Sequence, residues 1–108
     1  MDREYVNYLL DQLAPLGEVR ARAMFGGFGV YLDRVMFGLV ADNAFFLKVD
    51  EENRPHFKAA GSEPFVYHRK GKPMAMSYWL LPEAAADDRE AMLEWARLGI
   101  QAALRARR

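Results

Sequence analysis

The chain has 108 residues, with 15 basic and 15 acidic side chains, and it has no cysteine. This length fits one domain with a single core, which we expect to span residues 1–108. A hydrophobic content of 52% at zero net charge excludes intrinsic disorder, and the missing cysteines exclude disulfides and thiolate metal sites. No run approaches the roughly 18 apolar residues of a membrane span, and the N-terminus lacks a signal peptide's apolar stretch. We therefore predict a cytoplasmic protein with no membrane partner.

The first predicted element is a helix over residues 3–14. Its apolar residues recur at helical spacing and form one face: Tyr5, Val6, Leu9, Leu10 and Leu13. Pro15 and Gly17 are expected to end it.

From residue 19 the apolar period changes to two, which predicts strands. Four alternating runs cover residues 19–25, 28–32, 35–41 and 45–49. The links between them, Gly26-Gly27, Asp33-Arg34 and Asp42-Asn43, suit two-residue hairpin turns, which need positive φ. Asp33-Arg34 is the weakest of these turn signals, because arginine adopts positive φ poorly. The pattern predicts a four-stranded antiparallel meander.

The second half of the chain adds a short helix, a hairpin and a long helix. Asp50-Glu51-Glu52 predicts the start of the short helix, which ends at Gly61. Strands are expected over 65–69 and 73–81, and the last helix over 88–105. The order α-β-β-β-β-α-β-β-α predicts an α+β fold with two layers, in which helices cover one face of an antiparallel sheet of about six strands.

The apolar arc of the last helix is wider than one sheet needs. Trp95 and Leu98 lie on the flank away from Leu93 and Leu104. We expect this flank to mediate self-association, with a homodimer as the simplest form, unless another helix covers it.

The sequence offers no constellation for catalysis or metal binding. His56 and His68 lack partners at zinc-ligand spacing, and Ser62 and Ser77 lie in no nucleophile motif. The glycines around Gly27 lie between two strands, whereas a phosphate-binding loop leads into a helix. We therefore predict no enzyme activity, no catalytic or metal-binding residue and no cofactor.

Basic and aromatic side chains share one predicted face of the sheet. If the apolar members of the strands face the helices, the opposite face carries Arg20, Arg22, Tyr31, Phe46 and Lys48. Arg69, Lys70 and Lys72 add further positive charge in the second hairpin. Such a surface suits single-stranded nucleic acid, through phosphate contacts and base stacking. The alternative is a solvated or partner-covered face, which the zero net charge of the chain favours.

Three segments of the chain have a pattern that is typical of a known family. They are Met24-Phe25-Gly26-Gly27, the sequence FFLKV at residues 45–49, and Gly71-Lys72 followed by Tyr78-Trp79. From about Arg20 to Gly99 the chain resembles the TfoX N-terminal domain family. The resemblance implies an antiparallel sheet flanked by helices and a role related to the regulation of competence genes for DNA uptake in bacteria. Full-length regulators of that family carry a second, helical domain, which we expect to be missing here. The family supplies no established catalytic or ligand-binding residues. The sequence thus favours a non-catalytic regulatory module that contacts an unidentified protein partner, with weak nucleic-acid binding as the alternative.

Overall fold

The computed structural model describes residues 2–24 and 26–107, and the predicted α-β-β-β-β-α-β-β-α order is confirmed. The helices are α1 (Asp2–Leu13), α2 (Arg54–Ala59) and α3 (Arg89–Ala106), with short 3-10 helices at Ala14–Leu16 and Glu83–Ala85. The strands are β1 (Val19–Met24), β2 (Gly27–Leu32), β3 (Val35–Ala41), β4 (Ala44–Lys48), β5 (Pro64–Arg69) and β6 (Lys72–Leu80). They form one antiparallel sheet in the order β1-β2-β3-β4-β6-β5.

Two of the three predicted meander turns have the expected backbone. Asp33 and Arg34 have φ of 50° and 69°, and Asp42 and Asn43 have φ of 52° and 57°. At the first turn, Gly27 is not a turn residue as predicted, because it belongs to β2 and pairs with Met24. Phe25, which the alternation assigns to the first strand, lies outside the described residues.

The acidic segment at residues 50–52 precedes α2 and is not its first turn. The Asp50 carboxylate accepts hydrogen bonds from the amides of Glu52 and Asn53, at 3.0 and 3.1 Å. These bonds hold the chain in a turn, and the helix begins only at Arg54. The predicted helix start at Asp50 is therefore wrong by four residues.

Helices α1 and α3 cover one face of the sheet. Helix α3 packs across β3 and β4, and its buried residues include Met92, Leu93 and Ala96. Gly99 permits the close approach, since a Cβ there would lie 3.2 Å from Leu47. Helix α1 packs on α3, and the Arg89 guanidinium donates to the carbonyls of the last turn of α1, at residues 11 and 12.

Helix α2 covers the flank of α3 that was predicted to remain free. Phe57, fully buried in α2, makes an edge-to-face contact with Trp95, with ring centroids 4.8 Å apart. Trp95 and Leu98 are both partly buried and pack against the core. Leu104 is the exposed residue, at 49%. The alternative in which another helix packs on this flank thus describes Trp95, and self-association through Trp95 and Leu98 stays a prediction.

One ion pair joins the end of β4 to the end of α3. The Arg105 guanidinium donates from Nε to Asp50 Oδ2 at 2.7 Å and from a terminal nitrogen to Oδ1 at 2.9 Å, and it also contacts Glu52 at 3.0 Å. The hydrogen bond from Arg105 is the main cause that lowers the pKa of the Asp50 carboxyl from 3.8 to about 2, and the amides of Asn53 and Glu52 also favour its charged form.

The lowered pKa of Asp50 predicts a specific acid response. Since the folded-state pKa lies below the unfolded value, this carboxylate stabilises the fold fully above about pH 4, and the contribution is lost as pH falls through about 2. In Arg105→Gln we expect the pKa of Asp50 to rise toward its ordinary value. The stability difference between parent and variant, from urea unfolding, should shrink steadily between about pH 4 and pH 2. A difference that stays constant across that range would contradict the assignment.

Candidate interaction surface: the open face of the sheet

The strand register places the basic and aromatic residues predicted for one face on the same side of the sheet. Arg20 pairs with Tyr31, and Arg22 pairs with Gly29, which in turn pairs with Leu39. Leu39 is paired with Phe46, two residues before Lys48 on β4. Because directly paired residues point to the same face, Arg20, Arg22, Tyr31, Phe46 and Lys48 share the face opposite α1 and α3. We call this the open face.

The β5–β6 hairpin folds over the open face. Its pairing changes register between Pro64 and Val66. β1 and β5 are the two outermost strands in the sheet order, yet they line a common cavity, so the hairpin and the first strands approach each other across the open face. We call this cavity the hairpin groove. It measures about 480 Å³ and is lined by Met24, Gly27, Met36, Leu39, Ala41, Phe65, Tyr67, Arg69 and Met76.

Small residues form the floor of the hairpin groove and large flexible ones its walls. A Cβ on Gly27 would lie 2.2 Å from the Val40 carbonyl oxygen, so only glycine fits there. The side chains of Met24 and Met36 lean over neighbouring Gly29, where a Cβ would lie 2.8 Å from the Met24 sulfur. On the hairpin side, Phe65 meets Phe46 edge to face, with centroids 5.0 Å apart.

The charges of the chain are sorted between the sheet and the rest of the molecule. None of the residues in the six described strands is aspartate or glutamate, but the strands hold five cations, Arg20, Arg22, Lys48, Arg69 and Lys72. Because the whole chain carries 15 residues of each sign, the helices and loops hold a matching excess of acids. The sheet therefore has a positively charged face although the net charge of the chain is zero.

The basic residues differ in how firmly they are held. The Lys48 ammonium donates to Ser77 Oγ at 2.8 Å and lies 5.3 Å from the Tyr78 ring centroid. Burial raises the pKa of the Tyr78 phenol, and Tyr31 nearby raises it further. Arg20 pairs with Glu18 at 3.0 Å, but both side chains are more than 70% exposed, so the pair adds little stability.

The second basic group lies at the tip of the hairpin. Arg69 pairs with Lys72 across β5 and β6, and Lys70 occupies the turn with a φ of 53°. All three are exposed. Only Arg69 also lines the hairpin groove, which brings one member of this group close to β1.

The apolar residues of the open face carry only part of their signal in the sequence. Met24 and Met36 occupy positions that the alternation places on the face away from the core. Leu39 shares the parity of core residues Val35 and Phe37, and it reaches the open face because the β2–β3 pairing shifts register between Val30 and Tyr31. Tyr67 and Met76 lie on the β5–β6 hairpin and line the same groove. The approach of this hairpin to the first strands has no clear pattern in the sequence, so the groove could not be predicted.

The described residues contain no group of three or more histidine, aspartate or glutamate side chains placed to hold a metal ion. His56 and His68 are both exposed. Ser62 donates to the Leu80 carbonyl at 2.6 Å, and Ser77 accepts from Lys48. In residues 2–24 and 26–107, no helix is both long enough and apolar enough to cross a membrane.

Comparison with known proteins connects this architecture with a described family. The sequence profile of the TfoX N-terminal domain matches residues 11–103. A 12.7 kDa protein encoded in the trpE 5′ region of Spirochaeta aurantia is 29% identical over 86 residues, which cover 80% of this chain and 70% of that protein.

Two longer relatives carry functional names. Protein Sxy of Escherichia coli K12 is 21% identical over 95 residues, covering 88% of this chain and 46% of Sxy. DNA transformation protein TfoX1 of Aliivibrio fischeri is 31% identical over 68 residues, covering 63% of this chain and 32% of TfoX1. The chain therefore spans less than half the length of both relatives.

Proposed function

Because the chain belongs to the TfoX N-terminal domain family, we propose that it is a non-catalytic regulatory module that acts in the control of DNA uptake through contacts with a protein partner. The name of the Aliivibrio relative, a DNA transformation protein, supports the proposed role in the control of DNA uptake. The open face supports the mode of action. We place the module in the cytoplasm, where regulators of gene expression act.

The observation that carries the proposal is the uncovered apolar surface of the open face. Leu80 is 40% exposed beside Phe46, and Tyr67 and Met74 of the hairpin are 39% and 42% exposed. Exposed aromatic and methionine side chains rimmed by arginine are typical of the central part of protein interfaces. The described helices cover the other side of the sheet, and the exposed part of the open face around Leu80, Tyr67 and Met74 is free to receive a partner, which includes a second copy of the chain.

A matched pair of leucines tests the proposed face. Leu80 lies on the open face and Leu104 on the outside of α3, at 40% and 49% exposure. We expect Leu80→Glu to abolish capture of the partner from a nuclease-treated lysate of the native host, and Leu104→Glu to leave it unchanged. Placing a charge in an apolar contact removes its burial and leaves the charge without a partner.

The same two variants test the biological role. In a host that lacks the native gene, we expect transcripts of DNA-uptake genes to be restored by the parent chain and by Leu104→Glu, but not by Leu80→Glu. Unchanged transcripts after deletion would refute the regulatory role, and equal behaviour of the two variants would refute the open face. Light scattering of the purified chain shows whether the partner is a second copy.

The concentration of basic residues on the strands favours nucleic acid as a second candidate partner. Arg22 and Lys48 lie on the same face as Tyr31 and Phe46, an arrangement that combines phosphate contacts with stacking surfaces. This mode requires affinity for labelled single-stranded DNA that falls steeply with salt. It also requires Arg22→Gln to weaken binding while Arg97→Gln, on the exposed side of α3, does not. Partner capture that survives nuclease, together with no measurable DNA binding, decides for protein contacts.

A further inference from the structure

The hairpin groove has the dimensions and lining of a small-molecule site. Its volume of about 480 Å³ falls within the roughly 300–1,000 Å³ of such sites. Every lining residue except Arg69 is uncharged, and most are apolar. Ligand sites combine an apolar lining of this kind with a small number of polar groups that fix the orientation of the ligand.

Arg69 is available to a ligand. Among residues 2–24 and 26–107, the ion pairs are those of Arg20 with Glu18 and of Arg105 with Asp50 and Glu52, so Arg69 takes part in none. The strands that surround it contain no acidic residue that could compete for its guanidinium. An arginine in this setting matches a carboxylate, which it can bind through two parallel hydrogen bonds.

The walls of the hairpin groove favour a flexible apolar chain. Met24, Met36 and Met76 are unbranched, and their thioethers adapt to irregular apolar shapes. The floor at Gly27 and Ala41 leaves the space between these walls unfilled. An acyl chain can therefore lie along the groove with its charged end at Arg69.

We propose that the hairpin groove binds an apolar monocarboxylate, with the hydrocarbon chain against the methionines and the carboxylate on Arg69. This site goes beyond the proposed contact with a protein partner, and it does not depend on that function. A regulatory module with such a site would respond to a fatty-acid-like metabolite.

Calorimetric titration of the purified chain with dodecanoate and with dodecanol, both below their micelle concentrations, tests the site. We expect the parent to bind both, and dodecanoate more tightly. Arg69→Gln should weaken dodecanoate binding by about tenfold and leave dodecanol binding unchanged, because only the carboxylate uses the guanidinium. Lys72→Gln removes the same charge from the residue paired with Arg69, outside the groove lining, and should change either affinity by less than about twofold.

A filled groove provides the second arm of the test. Ala41→Leu places a larger side chain on the floor and should abolish binding of both molecules, with an unchanged circular dichroism spectrum showing that the variant folds. The proposal is overturned if the parent binds neither molecule, if Arg69→Gln and Lys72→Gln weaken dodecanoate binding equally, or if Ala41→Leu still binds. None of these measurements involves partner capture, so failure here is distinguishable from failure of the proposed function.

Discussion

Replacing Phe57 with alanine is expected to lower the free energy of unfolding by about 3–5 kcal/mol, the range for deleting a large buried aromatic side chain. Phe57 is completely buried, and its ring contacts Trp95 edge to face. Helix α2 has only six residues, too few to be stable by itself, so its position on α3 depends on this side chain. We expect the loss to include both the cavity and the aromatic contact.

Urea unfolding followed by circular dichroism measures the cost at Phe57, and tryptophan fluorescence reports the change beside Trp95. His56→Ala is the matched control, because His56 is the exposed neighbour in the same helix and should change stability by less than about 0.5 kcal/mol. A Phe57→Ala protein within about 1 kcal/mol of the parent would show that α2 does not depend on this contact.

Asn53→Ala is expected to cost about 2–4 kcal/mol, because it removes three hydrogen bonds at a buried position. The side-chain nitrogen of Asn53, Nδ2, donates to the backbone carbonyls of Lys48 and Leu98, at 3.1 and 3.0 Å. Its oxygen accepts from the amide of Asp50 at 2.9 Å. The side chain is only 2% exposed, so water cannot replace these partners without local opening. One residue thus joins the end of β4 to the middle of α3.

Two further substitutions separate the hydrogen bonds of Asn53 from its volume. Asn53→Asp keeps the shape and the acceptor but loses both donated bonds, and we expect it to be at least as costly as alanine at neutral pH. Asn7→Ala removes an exposed asparagine from α1 and should be close to neutral. If Asn53→Asp retained the stability of the parent at neutral pH, the two donated bonds would carry little of the stabilisation.

The meander was predictable because its signals are local. Alternation identifies the strands, and Asp42-Asn43 marks a turn with positive φ at both residues. Even the weaker Asp33-Arg34 signal was sufficient, since the strands on either side define the register. The sorting of Arg22 and Phe46 onto the open face follows from the same period of two.

The remaining features depend on contacts between segments that are distant in sequence. No periodicity in residues 64–76 indicates that the hairpin bends over the sheet, so the groove around Leu39 could not be predicted. Trp95 was assigned to a free flank because nothing in α3 itself reveals that Phe57 packs beside it. Asn53 directly precedes α2, where a helix cap is expected, yet its side chain makes tertiary hydrogen bonds instead.

The cations of the strands are balanced mainly by acids in the loops, so this neutral molecule has a permanent electric dipole with its positive end at the open face. A neutral molecule with a dipole has little net attraction to a distant charged partner, but the dipole orients the molecule as the partner approaches. An anionic partner therefore encounters the open face first, and a larger share of encounters begins in a productive orientation. The torque is screened by salt over about 8 Å at physiological ionic strength. On an ion exchanger, retention near the isoelectric point should likewise exceed what the net charge alone implies.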